Sequence, residues 1–272
     1  MCEYKISAVH LLSIYCKKSP GDDFTLPDDH IIKKQDREMN HVIQDSGLFS
    51  LMFGRDKGKK QTRETLTVWQ DKLIKFVLQN KLKCTCVDID CQKILGVEDA
   101  WFFRKRMRDL LPNKQINVFH FEDGRKGLDE LIEFTDYIAI SVPELRIAKP
   151  KSYVTDTTRL VDYIKNRKPD IDIHLLGCTQ FNILKDNTHC TSADSTSWLQ
   201  GVKYGWISDG KKKQHIKTFR KDLVEQRTMQ VLEEIRKNNI SLREKTINYT
   251  VAASISATIC KQRYTQIAGD QN

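Results

Sequence analysis

The sequence predicts an α/β fold, a (β/α)8 TIM-like barrel with a helical C-terminal extension. Three observations lead there. Short β-branched apolar runs alternate with segments of helical period; eight such runs can be found; and the 272 residues match the roughly 250 that one barrel of this kind takes. The expected division is a barrel over 1–210 and a basic helical extension over 211–272, packed on it.

The strand candidates come in order. "YKISAVHLL" (4–12) is a first strand and "HVIQ" (41–44) a short second one. "KCTCVDI" (83–89), "INVFHF" (116–121), "YIAISV" (137–142) and "IDIHLLG" (171–177) follow, then the weaker "CTSAD" (190–194) and "YGWI" (204–207). Between them run helical patterns at 64–80, 97–111, 127–134 and 156–167. In the first of these, Leu66, Trp69, Leu73, Phe76 and Val77 recur at near-helical spacing. Strands alternating with helices imply a parallel sheet, because a crossover helix is the usual way back to the starting edge.

Composition narrows the function classes. Hydrophobic residues make up 39% and charged residues 30%, the balance of a chain with a real core. No apolar run reaches the roughly 20 residues of a membrane span, and no membrane partner is expected. The N-terminal "MCEYKISAVHLLSIYCKKSP" lacks a small-residue cleavage site and reads as a first strand or core segment. Eight cysteines without a secretory signal imply reduced thiols and a cytoplasmic protein. "CTCVDIDC" spaces Cys84, Cys86 and Cys91 as C-x-C-x4-C, which lacks the paired C-x2-4-C ligands of a structural zinc site, so no metal is expected.

The net charge of +9 points to an acidic polymer, most simply nucleic acid. Between Lys211 and Lys245 eleven Lys and Arg face five Asp and Glu, which places most of that surplus in the C-terminal part. Two clusters are expected on the working face of the barrel, Lys57, Lys59 and Lys60 in "RDKGKK" and Lys211, Lys212 and Lys213 in "KKK". With Lys203 they are the candidate phosphate contacts.

In a parallel barrel the chemistry sits where strands end. Asp45 ends the second candidate strand, Asp88 and Asp90 the third, His120 and Glu122 the fourth; Glu144 follows the fifth and Asp194 ends the seventh. Each residue type also serves strand-end turns and helix caps, so the pattern carries more than any member.

Several of these segments also carry a family likeness. "QDSGLFSLMFG" (44–54) resembles the "DSGGFQ" motif of the tRNA-guanine transglycosylases, which are eight-stranded barrels. "VDID" (87–90), "NVFHFEDG" (117–124), "YIAISVPELR" (137–146), "HLLGC" (174–178) and "TSADSTSW" (191–198) follow in that family's order. The last falls where the family has its nucleophile strand. Here "STSW" replaces a Pro-Thr-Arg segment, and no Cys-x-Cys-x2-Cys cluster follows Asp194. This shorter form looks more like the phage DpdA-type DNA-guanine transglycosylases, which insert a 7-deazaguanine into DNA.

The resemblance implies exchange of guanine in a polynucleotide, preferably DNA, for a 7-deazaguanine base through a covalent Asp–sugar intermediate. tRNA is the alternative substrate, and a catalytically silent nucleic-acid-binding partner subunit is the alternative of another class. It implies Asp194 as nucleophile, Asp45 as the acid and base, and Asp88, Asp90, His120, Glu144 and Gly177 around the base. No cofactor is implied beyond the deazaguanine co-substrate. The setting is the cytoplasm, a host's if the chain is phage-encoded, and a homo-oligomer is left open. The residue types suit the chemistry. Breaking the bond from guanine N9 to C1′ builds oxocarbenium character that a carboxylate can trap. A second carboxylate moves the protons, and a third can accept from the N1–H and amino group of guanine.

Overall fold

The computed structural model describes residues 19, 21–38, 42–48, 60–178, 180–195, 204, 206–208 and 213–215. The chain divides into two compact bodies. One holds 3–176 and 190–192, the other 1–2, 177–189 and 193–272.

The first body is an α/β unit on a parallel sheet. Its strands are β1 (Ile43–Gln44), β2 (Thr85–Val87), β3 (Gln115–Phe119), β4 (Tyr137–Ser141) and β5 (Asp172–Leu176). They are hydrogen-bonded in chain order, with β6 (Ser192–Ala193) next to β5. Every pair from β1 to β5 is parallel: Ile43 lies against Thr85, Cys86 against Gln115, Asn117 against Ile138 and Tyr137 against Asp172. The sheet is open among the described residues. α1 (Ile31–Glu38) precedes β1; the helices between the strands are α2 (Arg63–Gln79), α3 (Gln92–Leu95), α4 (Val97–Leu110), α5 (Gly124–Phe134), α6 (Val142–Ala148) and α7 (Tyr153–Arg167).

Both sheet faces are covered, which is why these strands read as continuous apolar runs rather than alternating ones. On one face Ile43, Val87, Ile116, Val118, Tyr137 and Ala139 form a cluster. On the other, Cys84 and Cys86 pack with Leu66, Leu73 and Phe76 of α2 and with Ala100, Phe103 and Met107 of α4. Neighbours Cys86 and Val87 fall in different clusters because side chains alternate along a strand.

α2 starts where its sequence says it should. Thr62 accepts from the Thr65 N–H, and the Thr65 hydroxyl accepts from the Thr62 N–H at 2.8 Å, a reciprocal cap. Its far end is closed by Asn80, which donates to the Phe76 and Phe24 carbonyls and accepts from the Leu26 N–H at 2.7 Å. One buried amide thereby ties segment 24–26 to the helix.

Two expectations change. Val142 begins α6 rather than ending β4, because Pro143 sits in the first helical turn, where its missing N–H costs nothing. The run at 204–207 is not a parallel barrel strand. Trp206–Ser208 (β7) pairs antiparallel with Lys213–His215 (β8) in a separate two-stranded sheet of the second body. Only four residues, 209–212, join them, enough for a hairpin and far too few for a parallel crossover. The expected boundary at 210/211 falls within that link. The second body also carries α8 (Phe181–Asp186). The strand expected at 4–12 and nearly all of the 211–272 extension lie outside the described residues. No helix among the described residues is long and apolar enough to cross a membrane.

Candidate functional site

Three of the sequence-predicted residues meet at one point of the first body. Asp90 follows β2, His120 follows β3, and Glu144 stands in the first turn of α6, after β4. His120 Nδ1 lies 2.8 Å from Glu144 Oε2 and its Nε2 3.3 Å from Asp90 Oδ2, so the ring bridges two carboxylates. The second Glu144 oxygen pairs with Lys93 Nζ at 3.0 Å and accepts from the Phe121 N–H at 3.4 Å. Burial opposes charge on the imidazole, but the hydrogen bonds to Asp90 and Glu144 outweigh it and raise its pKa to about 10. Burial likewise pushes Glu144 up, and the bonds from His120 and Lys93 overcome this and hold it down at about 2. At neutral pH the array is an imidazolium clamped between anions.

Asp88, two residues before Asp90, has another place. It is fully buried, and Arg104 Nε donates to it at 3.0 Å. It also accepts from the Val118 N–H at 3.2 Å and the Asn117 amide at 3.4 Å. Arg104, equally buried, reaches on to Asp123 at 3.2 Å and to the Val118 carbonyl at 2.7 Å. Gln92 donates to Asp123 and to the same carbonyl, each at 3.0 Å. Burial raises the Asp88 pKa to about 6 even beside the guanidinium. Asp88, expected beside the base, thus stands in the protein interior with Arg104, Asn117 and Val118 as its partners. Its oxygens are spent inside the protein, and of the two acids of "VDID" it is Asp90 whose side chain is part-exposed, at 23%.

Asp45 follows β1 and is half-buried; its Oδ1 accepts from the Gly47 N–H at 2.9 Å, an Asx turn. Gly47 has φ 78°, which suits a residue without a Cβ. The Trp69 indole donates to the Ser46 carbonyl at 2.8 Å and holds this loop on α2. In the second body, Asp194 Oδ1 accepts from the Gly177 N–H at 3.1 Å, and Gly177 has φ 67°.

Lys60 is exposed. The backbone of Lys213 belongs to β8. Lys57, Lys59, Lys203, Lys211 and Lys212 lie outside the described residues. The three thiols of "CTCVDIDC" are buried; Cys84 and Cys86 have sulfurs 3.9 Å apart. The bond to Cys84 and then burial push the Cys86 thiol up, and burial takes Cys91 to about 12, which disfavours metal-binding thiolates. The cation-capable group among the described residues is instead His120, Glu122 and Glu144, whose ligand atoms lie within 4.8 Å of one another. A cation there would have to displace the ring proton and Lys93.

Sequence reasoning did not find Lys93, Gln92, Arg104 or Asp123. For Arg104 a signal existed. It shares the helical face of Ala100, Phe103 and Met107, so an apolar stripe runs through a charged residue. Comparison with protein-family models and with curated proteins returned no match to this chain.

Proposed function

We propose that this chain is a transglycosylase that exchanges guanine in a polynucleotide, DNA by preference, for a 7-deazaguanine, on a (β/α)8 barrel closed by further strands beyond the open sheet. The observation that carries the reading is the convergence of Asp90, His120 and Glu144 after three consecutive parallel strands. Ligand sites of such sheets lie beyond the strand C-termini, and a carboxylate partner is what the N1–H and amino group of guanine require. tRNA is the alternative polymer.

Asp194 Oδ attacks C1′ as the C1′–N9 bond breaks, and the departing guanine takes a proton at nitrogen from Asp45. The carboxylate so formed then removes the N9 proton of the incoming deazaguanine. N9 attacks C1′, the sugar–Asp194 bond breaks, and both acids return to their starting states. The Gly177 N–H donates to Asp194 and orients the carboxylate that acts as nucleophile. The target base must be extruded or single-stranded.

The test is release of labelled guanine from an oligonucleotide by the full chain with 7-deazaguanine supplied. The wild type should release label in step with incorporation. Asp194→Asn should stay folded and lose both the release and the covalent adduct. Release by the Asn variant at wild-type rate overturns the mechanism, and no release by the wild type from DNA or tRNA removes the enzymatic reading.

A further inference from the structure

The base-site residues bind each other. His120 occupies the acceptors of Asp90 and Glu144 that a donor-rich ligand would use. This bears on whether the ring reads the ligand or stands in for it, a question that rests on the proposed base-exchange reading. Three features separate the two roles.

The first is the backbone under the ring. The His120 N–H donates to Asp123 Oδ2 at 2.9 Å, and the Asp123 N–H returns to the His120 carbonyl at 3.1 Å. Asp123 is in turn held by Arg104 and Gln92. Gly127, one turn on, would place a Cβ 3.0 Å from the Asp123 side chain, so the helix behind lies close against this anchor. The residue has a fixed pivot, and the freedom left to it is rotation of the side chain.

The second is the state of the acceptors once the ring leaves. Glu144 keeps Lys93 and the Phe121 N–H on its other oxygen, so Oε2 stays in place with its charge. Asp90 is the more exposed partner, at the longer distance of 3.3 Å. The acceptors stand ready and only the occupant moves. The third is hydrogen-bond type. A ring between two anions is a double donor, the role the N1–H and amino group of guanine play, so ring and base compete for one carboxylate. The charged groups facing the ring are Asp90, Glu144 and Glu122, with Lys93 behind Glu144.

We infer that His120 is the gate of the base site: its side chain seals Asp90 and Glu144 in the free protein, and a guanine-type base enters by displacing it onto a rotamer clear of Asp90. His120 is a positioning and specificity-determining residue rather than a reader of the base. A ligand must present two adjacent N–H donors on one edge to replace what the carboxylates lose; guanine does so with its N1–H and amino group, whereas the pairing edges of adenine, cytosine and thymine offer no such pair.

The experiment is calorimetric titration of the full chain with guanine and with 7-deazaguanine at neutral pH, for the wild type and His120→Ala. The variant should bind 7-deazaguanine more tightly by about tenfold, the factor that one charge-assisted hydrogen bond no longer to be broken commands. Equal or weaker binding by a folded variant overturns the gate and leaves base exchange standing. No binding of either base to wild type or variant overturns both. Should the variant not fold, the wild type decides by NMR. The His120 ring signals should move from clamped to free values as 7-deazaguanine saturates, and unmoved signals at saturation overturn the inference.

Discussion

Asp88 and Asp90 leave the same strand two residues apart and end in opposite settings. Asp88 is fully buried against Arg104, in a network closed by Asp123, Gln92, Asn117 and the Val118 peptide. Asp90 is part-exposed and touches the His120 ring at 3.3 Å. The first set is a framework and the second the proposed site. What separates them is not residue type but whether the carboxylate is buried against a guanidinium held in the core or left part-exposed. Arg104 satisfies two acids and a carbonyl at once, and nothing in that group can move without stranding a charge. In the Asp90–His120–Glu144 array one rotation changes the partners.

The comparison breaks most sharply at Arg104. Arg104→Ala should cost about 3–5 kcal/mol of folding stability by leaving two buried carboxylates unpaired, measured by denaturant unfolding. A loss no larger than that of a surface substitution would mean the buried pairs carry no weight.

The next effect is on pH dependence, where the groups of the two regions act in different pH windows. Asp88 is raised from 3.8 to about 6, so the folded state holds its proton more tightly than the unfolded one. Its contribution favours folding below about 4 and is lost as pH climbs to 6. Glu144 is depressed from 4.5 to about 2, so its contribution is present above 4.5 and lost as pH falls toward 2. His120 is raised from 6.5 to about 10, so its contribution is complete below 6.5 and lost as pH rises toward 10. Stability curves should therefore flatten in the acid arm for Asp88→Asn. For His120→Ala they should flatten in the alkaline arm. Curves parallel to wild type in both variants would erase the distinction.

A smaller effect is expected at Lys93. Lys93→Met should leave the fold intact and lower Glu144's hold on the ring, by about 1 kcal/mol or less for a half-exposed ion pair. An alkaline arm unchanged from wild type would show that Lys93 does not support the clamp. The smallest concerns the polymer. Replacing Lys57, Lys59 and Lys60 with Gln should reduce the salt slope of DNA binding by about 0.7–0.9 for each phosphate no longer neutralised, with guanine preference unchanged. An unaltered slope would mean these lysines are dispersed solubility charge.

The strands β1 to β6, and the four long helices, were legible because periodicity reports burial, whereas β8 falls where a helical extension was expected. β3 and α2 are examples, each found within two residues of its expected bounds. α3, α6 and α8 were not legible, since four to seven residues are too few to display a period. The hairpin was misread as a parallel strand although "SDGK" carries an Asp-Gly turn signal; tertiary partnering, not strand propensity, fixes direction. At the site, the sequence pointed to Asp90, His120 and Glu144 through their positions after strands. It could not distinguish Asp90 from Asp88, because that difference depends on Arg104, sixteen residues away on another element.

The order of the sheet carries a consequence for synthesis. From β1 to β5 each strand's new partner is the strand made just before it, as the registers Ile43↔Thr85, Val87↔Ile116, Asn117↔Ile138 and Ile138↔Ile173 record. Such a sheet can grow at one edge as the chain leaves the ribosome, without waiting for a distant segment. Asp90, His120 and Glu144 then emerge in that sequence. His120 meets its first acid one strand before its second, and a nascent chain halted before α6 holds a ring bridged to Asp90 alone.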